Sequence, residues 1–74
     1  MTKDMMYVYL ILVKRLSDGG MYWSKINRDR KVFSTENLAA AKREKARLKN
    51  YYDNGYEYYI MRVDAIDGIV ERVD

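Results

Sequence analysis

Residues 42 to 49 read KREKARLK, and residues 51 to 59 read YYDNGYEYY. The first stretch sets five cations, Lys42, Arg43, Lys45, Arg47 and Lys49, against one carboxylate, Glu44; the second puts five tyrosines into nine positions. Cations beside aromatic rings suit single-stranded nucleic acid, where charge tracks the phosphates and rings stack on bases. The same residues suit a protein partner, because tyrosine supplies large contact area at low entropic cost. Two plainer accounts compete. Glu44 pairing one turn away would make the cations a solvated helix face, and tyrosine is a tolerable cover for the bare side of a small sheet.

Other chemistry is harder to build from these 74 residues. There is no cysteine and no histidine, which excludes disulfides, thiol nucleophiles, zinc fingers and histidine acid–base schemes. Ser17, Ser24 and Ser34 have no base to activate them, Gly19-Gly20 is a turn pair, and Asp64 with Asp67 fits a turn better than a metal pair. Neither a cofactor nor a metal is expected. The formal charge is +3, but it is unevenly spread. Residues 25–49 carry nine basic residues against Asp29, Glu36 and Glu44, while residues 50–74 carry Arg62 and Arg72 against six acids. A basic middle and an acidic end are the main electrostatic fact of the chain. Lys25, Arg28, Arg30 and Lys31 extend the basic region into the segment before the cationic stretch.

The elements that must position these residues follow from pattern. MMYVYLILVKR, from Met5 to Arg15, reads as a strand with apolar residues on both faces: Met6, Val8, Leu10 and Leu12 on one, Tyr7, Tyr9, Ile11 and Val13 on the other. SDGG at 17–20 is a turn, MYWSKI at 21–26 the returning arm, NRDR at 27–30 a polar loop, and KVF at 31–33 a short strand. A helix then starts at Ser34 or Thr35, with Glu36 at its positive end, and runs through the alanines and long side chains to Tyr52. Leu38, Ala41, Leu48 and Tyr52 share one helical face, which Lys45 interrupts. Asn54 or Gly55 ends it. YEYYIMRVD is the next strand, Asp67-Gly68 a hairpin turn and IVERV the last strand. In this reading Tyr52 and Tyr59 face the core, with Met61 and Val63, while Tyr51, Tyr56 and Tyr58 face outward.

Two resemblances bear on function. Tyr9 and Tyr22, followed by Arg28 or Arg30, resemble the opening of GIY-YIG nucleases, which implies a metal-dependent nuclease; no glycine precedes Val8, and Trp23-Ser24 stands where that family has Ile-Gly. In size, composition and architecture, the chain resembles small accessory proteins of phages and mobile elements. That group includes host-takeover and anti-defence factors such as anti-CRISPR proteins, and the resemblance implies action by binding.

The sequence therefore predicts an α+β fold in ββαββ order, one helix on a three- to five-stranded antiparallel or mixed sheet. Residues 1–4 are expected as a disordered tail and residues 5–74 as one domain. The expected function is non-enzymatic binding, as an inhibitor or modulator docking on a protein or nucleic-acid-processing complex. Trp23, Arg28, Arg30, Lys42, Arg43, Arg47, Lys49, Tyr51, Tyr56 and Tyr58 are the expected contact residues. Direct nucleic-acid binding is the alternative, and a second copy of the chain is a further expected partner, because the first strand is apolar on both sides. MMYVYLILV is too short to span a bilayer, and no cleavable leader pattern precedes it, so no membrane partner and a cytoplasmic location are expected.

Overall fold

The computed structural model describes residues 7–26, 31–52 and 54–74. The expected tail at 1–4, the loop at 27–30 and Asp53 lie outside the described residues. The chain forms β1 (Tyr7–Arg15), β2 (Met21–Trp23), β3 (Lys25–Ile26), β4 (Lys31–Val32), α1 (Leu38–Tyr51), β5 (Tyr56–Asp64) and β6 (Val70–Arg72). A four-stranded antiparallel sheet has the order β2-β1-β5-β6, and β3 with β4 makes a separate small hairpin. This is the expected α+β architecture, with its returning arm broken at Ser24 into β2 and β3.

β1 and β5 are the two long strands, and they pair along their whole length from Tyr7–Asp64 to Arg15–Tyr56. The two hairpins that flank them are closed by loops of the same design. In one, the Arg15 amide donates to the Gly20 carbonyl and the Gly19 amide to the Arg15 carbonyl, both at 2.7 Å. In the other, the Asp64 amide donates to the Ile69 carbonyl (2.9 Å) and the Gly68 amide to the Asp64 carbonyl (2.8 Å). Each loop has Asp-Gly at its third and fourth positions. The Asp carboxylate accepts an amide two residues on, and the glycine takes the left-handed conformation that closes the turn (φ 75° and 77°).

α1 begins at Leu38, three or four residues later than the start expected at Thr35 or Ser34. Thr35 is held extended because its amide and carbonyl both bond Tyr9, at 3.1 and 2.7 Å. Asn37 caps the helix instead, its Oδ1 accepting from the amides of Ala39 (2.8 Å) and Ala40 (3.2 Å). Glu36 thus precedes the cap, and no acid lies in the first turn. Asn37 carries the helix start, so Asn37→Ala should cost about 1 kcal/mol, read as a fall of several degrees in Tm by circular dichroism.

The helix covers one face of β1 and β5. Ile11, Val13, Tyr58 and Ile60 rise from the sheet to meet Ala41 and Leu48, with Leu38, Tyr9, Phe33, Tyr56 and Val73 packed around them. This corrects the expected orientation of β5. Tyr58 and Ile60 point inward, while Tyr59, Met61 and Val63 point away from the helix. The register with β1 decides it, since Ile11 faces Ile60 and Val13 faces Tyr58 across the ladder. Tyr52 also departs from expectation. It is the residue that caps the helix end, with φ −129° and ψ 65°, so the helical period no longer applies to it and its ring is 46% exposed. Lys45 is not stranded on the inner face: it forms an ion pair with Asp74, whose other carboxylate oxygen accepts the Ile60 amide at 2.9 Å.

Candidate binding surfaces

The alternation that sends Ile11, Val13, Tyr58 and Ile60 under the helix sends Val8, Leu10, Leu12, Met61 and Val63 to the other side. Trp23 lies beside Leu12 on that side, and Val70 beside Val63. Among the described residues, no helix or second sheet lies over this face. The face is built by two strands of nine residues and two of three, and its apolar residues Val8, Leu10, Leu12, Met61 and Val63 are each half-buried by their neighbours. A shallow groove of about 280 Å³ crosses it, with Leu12, Met61 and Met21 below and Lys14, Tyr59 and Arg72 around it. The rim is ordered by its own contacts. The Arg72 guanidinium stacks on the Tyr59 ring at 4.3 Å and donates to the Asp74 carbonyl at 2.8 Å, and the Tyr59 hydroxyl donates to Glu57 at 2.5 Å. That bond to Glu57 holds the Tyr59 phenol above its ordinary pKa, with burial adding to the shift.

A second concave surface lies on the helix side, where the last turns of α1 stand over β2 and the start of β5. It is a cleft of about 530 Å³ with a floor of Val13 and Leu48 and walls of Tyr22, Tyr52, Tyr56 and Tyr58. Ser24 is buried at its base and Lys25 stands at its edge. Tyr58 is fixed by its hydroxyl, which donates to the Tyr52 carbonyl at 3.0 Å. Successive rings touch from Tyr51 to Tyr52 (4.7 Å), from Tyr52 to Tyr56 (6.5 Å) and from Tyr56 to Tyr58 (6.4 Å).

The expected contact residues divide among these surfaces. Trp23 belongs to the open sheet face and is half-buried there. Tyr56 and Tyr58 belong to the helix-side cleft, and Tyr58, at 6% exposure, is a core residue and not an outward one. Tyr51 is 73% exposed beside the cleft. Lys42, Arg43, Arg47 and Lys49 are exposed on the helix exterior. Arg47 is engaged by Glu44 through two bonds of 2.8 and 2.7 Å, and that bond raises its pKa further. Lys42, Arg43 and Lys49 carry no carboxylate partner among the described residues. Arg28 and Arg30 lie outside the described residues. Sequence reasoning did not assign Leu12, Met61 and Tyr59 to a surface, nor Tyr22 and Tyr52 to a cleft. The signal available for the first group was the doubly apolar β1.

No known family matches the chain, and no curated protein or solved structure does. Among the described residues, no three acidic side chains converge as a metal would require, and no helix is long and apolar enough to cross a membrane.

Proposed function

We propose that the chain is a non-enzymatic binding protein that docks by its open sheet face on a protein of a larger, nucleic-acid-processing assembly, as an inhibitor or modulator of the host-takeover or anti-defence kind. The observation that carries this reading is the row Leu10, Leu12, Met61 and Val63, apolar, contiguous and without a covering layer among the described residues. A contiguous apolar row on a sheet face without a covering layer is the kind of surface that interaction sites use. The groove between Leu12 and Met61 would receive an apolar side chain of the partner, and Lys14 a carboxylate. Tyr59 and Arg72, already held by Glu57 and Asp74, would meet the partner with little ordering cost. Lys42, Arg43 and Lys49, on the opposite side, would stay clear of this contact and remain available to a nucleic-acid component of the assembly.

Leu12→Glu places a charge in the centre of the face. It should weaken capture of the partner by roughly 30-fold or more, the scale of a central anchor, while Lys42→Ala changes it about threefold or less. Capture equal for wild type and Leu12→Glu, with both folded by circular dichroism, would remove the reading. Sedimentation of the same pair separates the competing occupant: a wild-type dimer that Leu12→Glu dissociates would assign the face to a second copy of the chain.

A further inference from the structure

The helix-side cleft is separate from the docking face, and its chemistry is different. Its mouth is flanked by the rings of Tyr22 and Tyr52, 44% and 46% exposed, while its floor of Val13 and Leu48 is buried. Exposed rings above an apolar floor favour a flat, polarisable ligand that excludes water from both. Charge selects further. Among the described residues, Lys25 is the charged residue lining the cleft, and no carboxylate does. A cationic ligand, the usual guest of an aromatic cage, would meet the like charge of Lys25. A neutral ring carrying an anion meets the opposite situation.

Tyr56 and Tyr58 also form one wall of a second groove of about 270 Å³, lined further by Tyr59 and bordered by Lys45, Lys49 and one carboxylate, Glu57, which accepts the Tyr59 hydroxyl. Lys45 is already engaged by Asp74, so Lys49 is the cation available there. Two concavities thus share a tyrosine wall and have a lysine beyond each end. That is the arrangement of a base platform with phosphate contacts before and after it.

We infer that the tyrosine cleft takes an unpaired nucleobase, stacked against Tyr22 and Tyr52, with its phosphates beside Lys25 and Lys49. The base could belong to a free nucleotide or to a single strand, and the presence of a lysine at each of the two adjoining concavities favours the strand.

The test is fluorescence anisotropy with 5′-labelled ten-nucleotide single-stranded DNA and RNA and the matching duplexes, at about 50 and 200 mM salt, with unlabelled AMP and UMP as competitors. Single strands should bind, and more tightly than duplexes. Tyr52→Ala should weaken binding by about tenfold, the scale of one base stacked on one ring, and Tyr52→Phe should restore it, because the ring and not the hydroxyl makes the contact. Lys25→Ala should weaken binding and flatten its dependence on log salt by about 0.7, one phosphate on a single strand. Competition by AMP or UMP below about 1 mM would assign the site to free nucleotides; competition only by oligonucleotides assigns it to a strand. Either result supports the nucleobase site. Duplexes bound as tightly as single strands, or binding that Tyr22→Ala and Tyr52→Ala both leave unchanged, would overturn it and move any affinity to the helix exterior. Absence of binding by every probe at 50 mM salt would overturn it as well. Both tyrosines are exposed enough for alanine to leave the fold intact, and circular dichroism checks this.

Discussion

Ile60→Ala should remove about 4 kcal/mol of stability, among the largest losses a truncation can cause at the described residues. Ile60 is 1% exposed, pairs with Ile11 at the middle of the β1–β5 ladder and is one of two fully buried large side chains. Truncating such a residue loses its transfer free energy and leaves a cavity, about 2–5 kcal/mol in total. A 74-residue domain has about 4–11 kcal/mol to lose. The variant should therefore be largely unfolded in urea concentrations that leave the wild type intact. The neighbour in sequence gives the contrast. Met61→Ala removes a side chain of similar size from the open face and should cost under about 1.5 kcal/mol, and Ile66→Ala, in an exposed loop, under about 0.5 kcal/mol. Equal costs at 60 and 61 would mean that both faces of β5 are covered in solution, and a greater cost at 61 would reverse the assignment of faces.

The second large effect centres on Asp74. Burial raises the pKa of its carboxyl, but the bonds from Lys45 and the Ile60 amide, with the charges of Lys45 and Arg72, outweigh burial and hold it below the ordinary carboxylate value. A carboxyl whose pKa is lower in the folded chain than in the unfolded one favours folding when ionised. Its contribution is complete above about pH 4–5 and is lost as pH falls through the lowered folded value. Asp74→Asn keeps an oxygen for the Ile60 amide but leaves Lys45 without a partner carboxylate, and should cost about 1 kcal/mol at neutral pH. Asp74→Ala loses both and should cost about 2 kcal/mol. Urea melts at pH 7 and pH 3 provide the check. The wild type should lose more stability between the two than either variant, and parallel losses would show that Asp74 does not couple to folding.

Much of the architecture was legible before any coordinates. β1, the SDGG and Asp-Gly turns, the helix and β5 fall close to their expected places, because each carries a pattern that only one element satisfies: strand-forming runs, turn residues and an alanine-rich cationic stretch. The inner face of β5 was not legible. Its two alternating sets, Tyr56-Tyr58-Ile60-Arg62 and Glu57-Tyr59-Met61-Val63, are almost equally apolar, with one charged residue in each. The Arg62 guanidinium lies over the Tyr7 ring at 4.6 Å and pairs with Glu71, contacts that depend on three strands lying side by side. Lys45 was hidden for the same reason, since its partner lies 29 residues away. The helix exterior was read correctly as cationic, but the cleft needed the cap at Tyr52, where the chain leaves the helix and turns a ring toward β2.

The pairing of β1 with β5 has a consequence for the order in which the molecule is made. The two strands that form the centre of the sheet are separated by the whole of β2 to α1, some forty residues. Closing a loop of that length costs conformational entropy before any of the ladder is gained, which slows folding relative to a helical bundle of equal size. During synthesis, β1 leaves the ribosome with both apolar faces bare, and α1 can form but has no sheet to rest on. The core closes only when Tyr56–Asp64 has emerged. Until then α1 has no complete sheet to rest on, and the forty residues between β1 and β5 set how long β1 stays uncovered, a few seconds at ordinary synthesis rates.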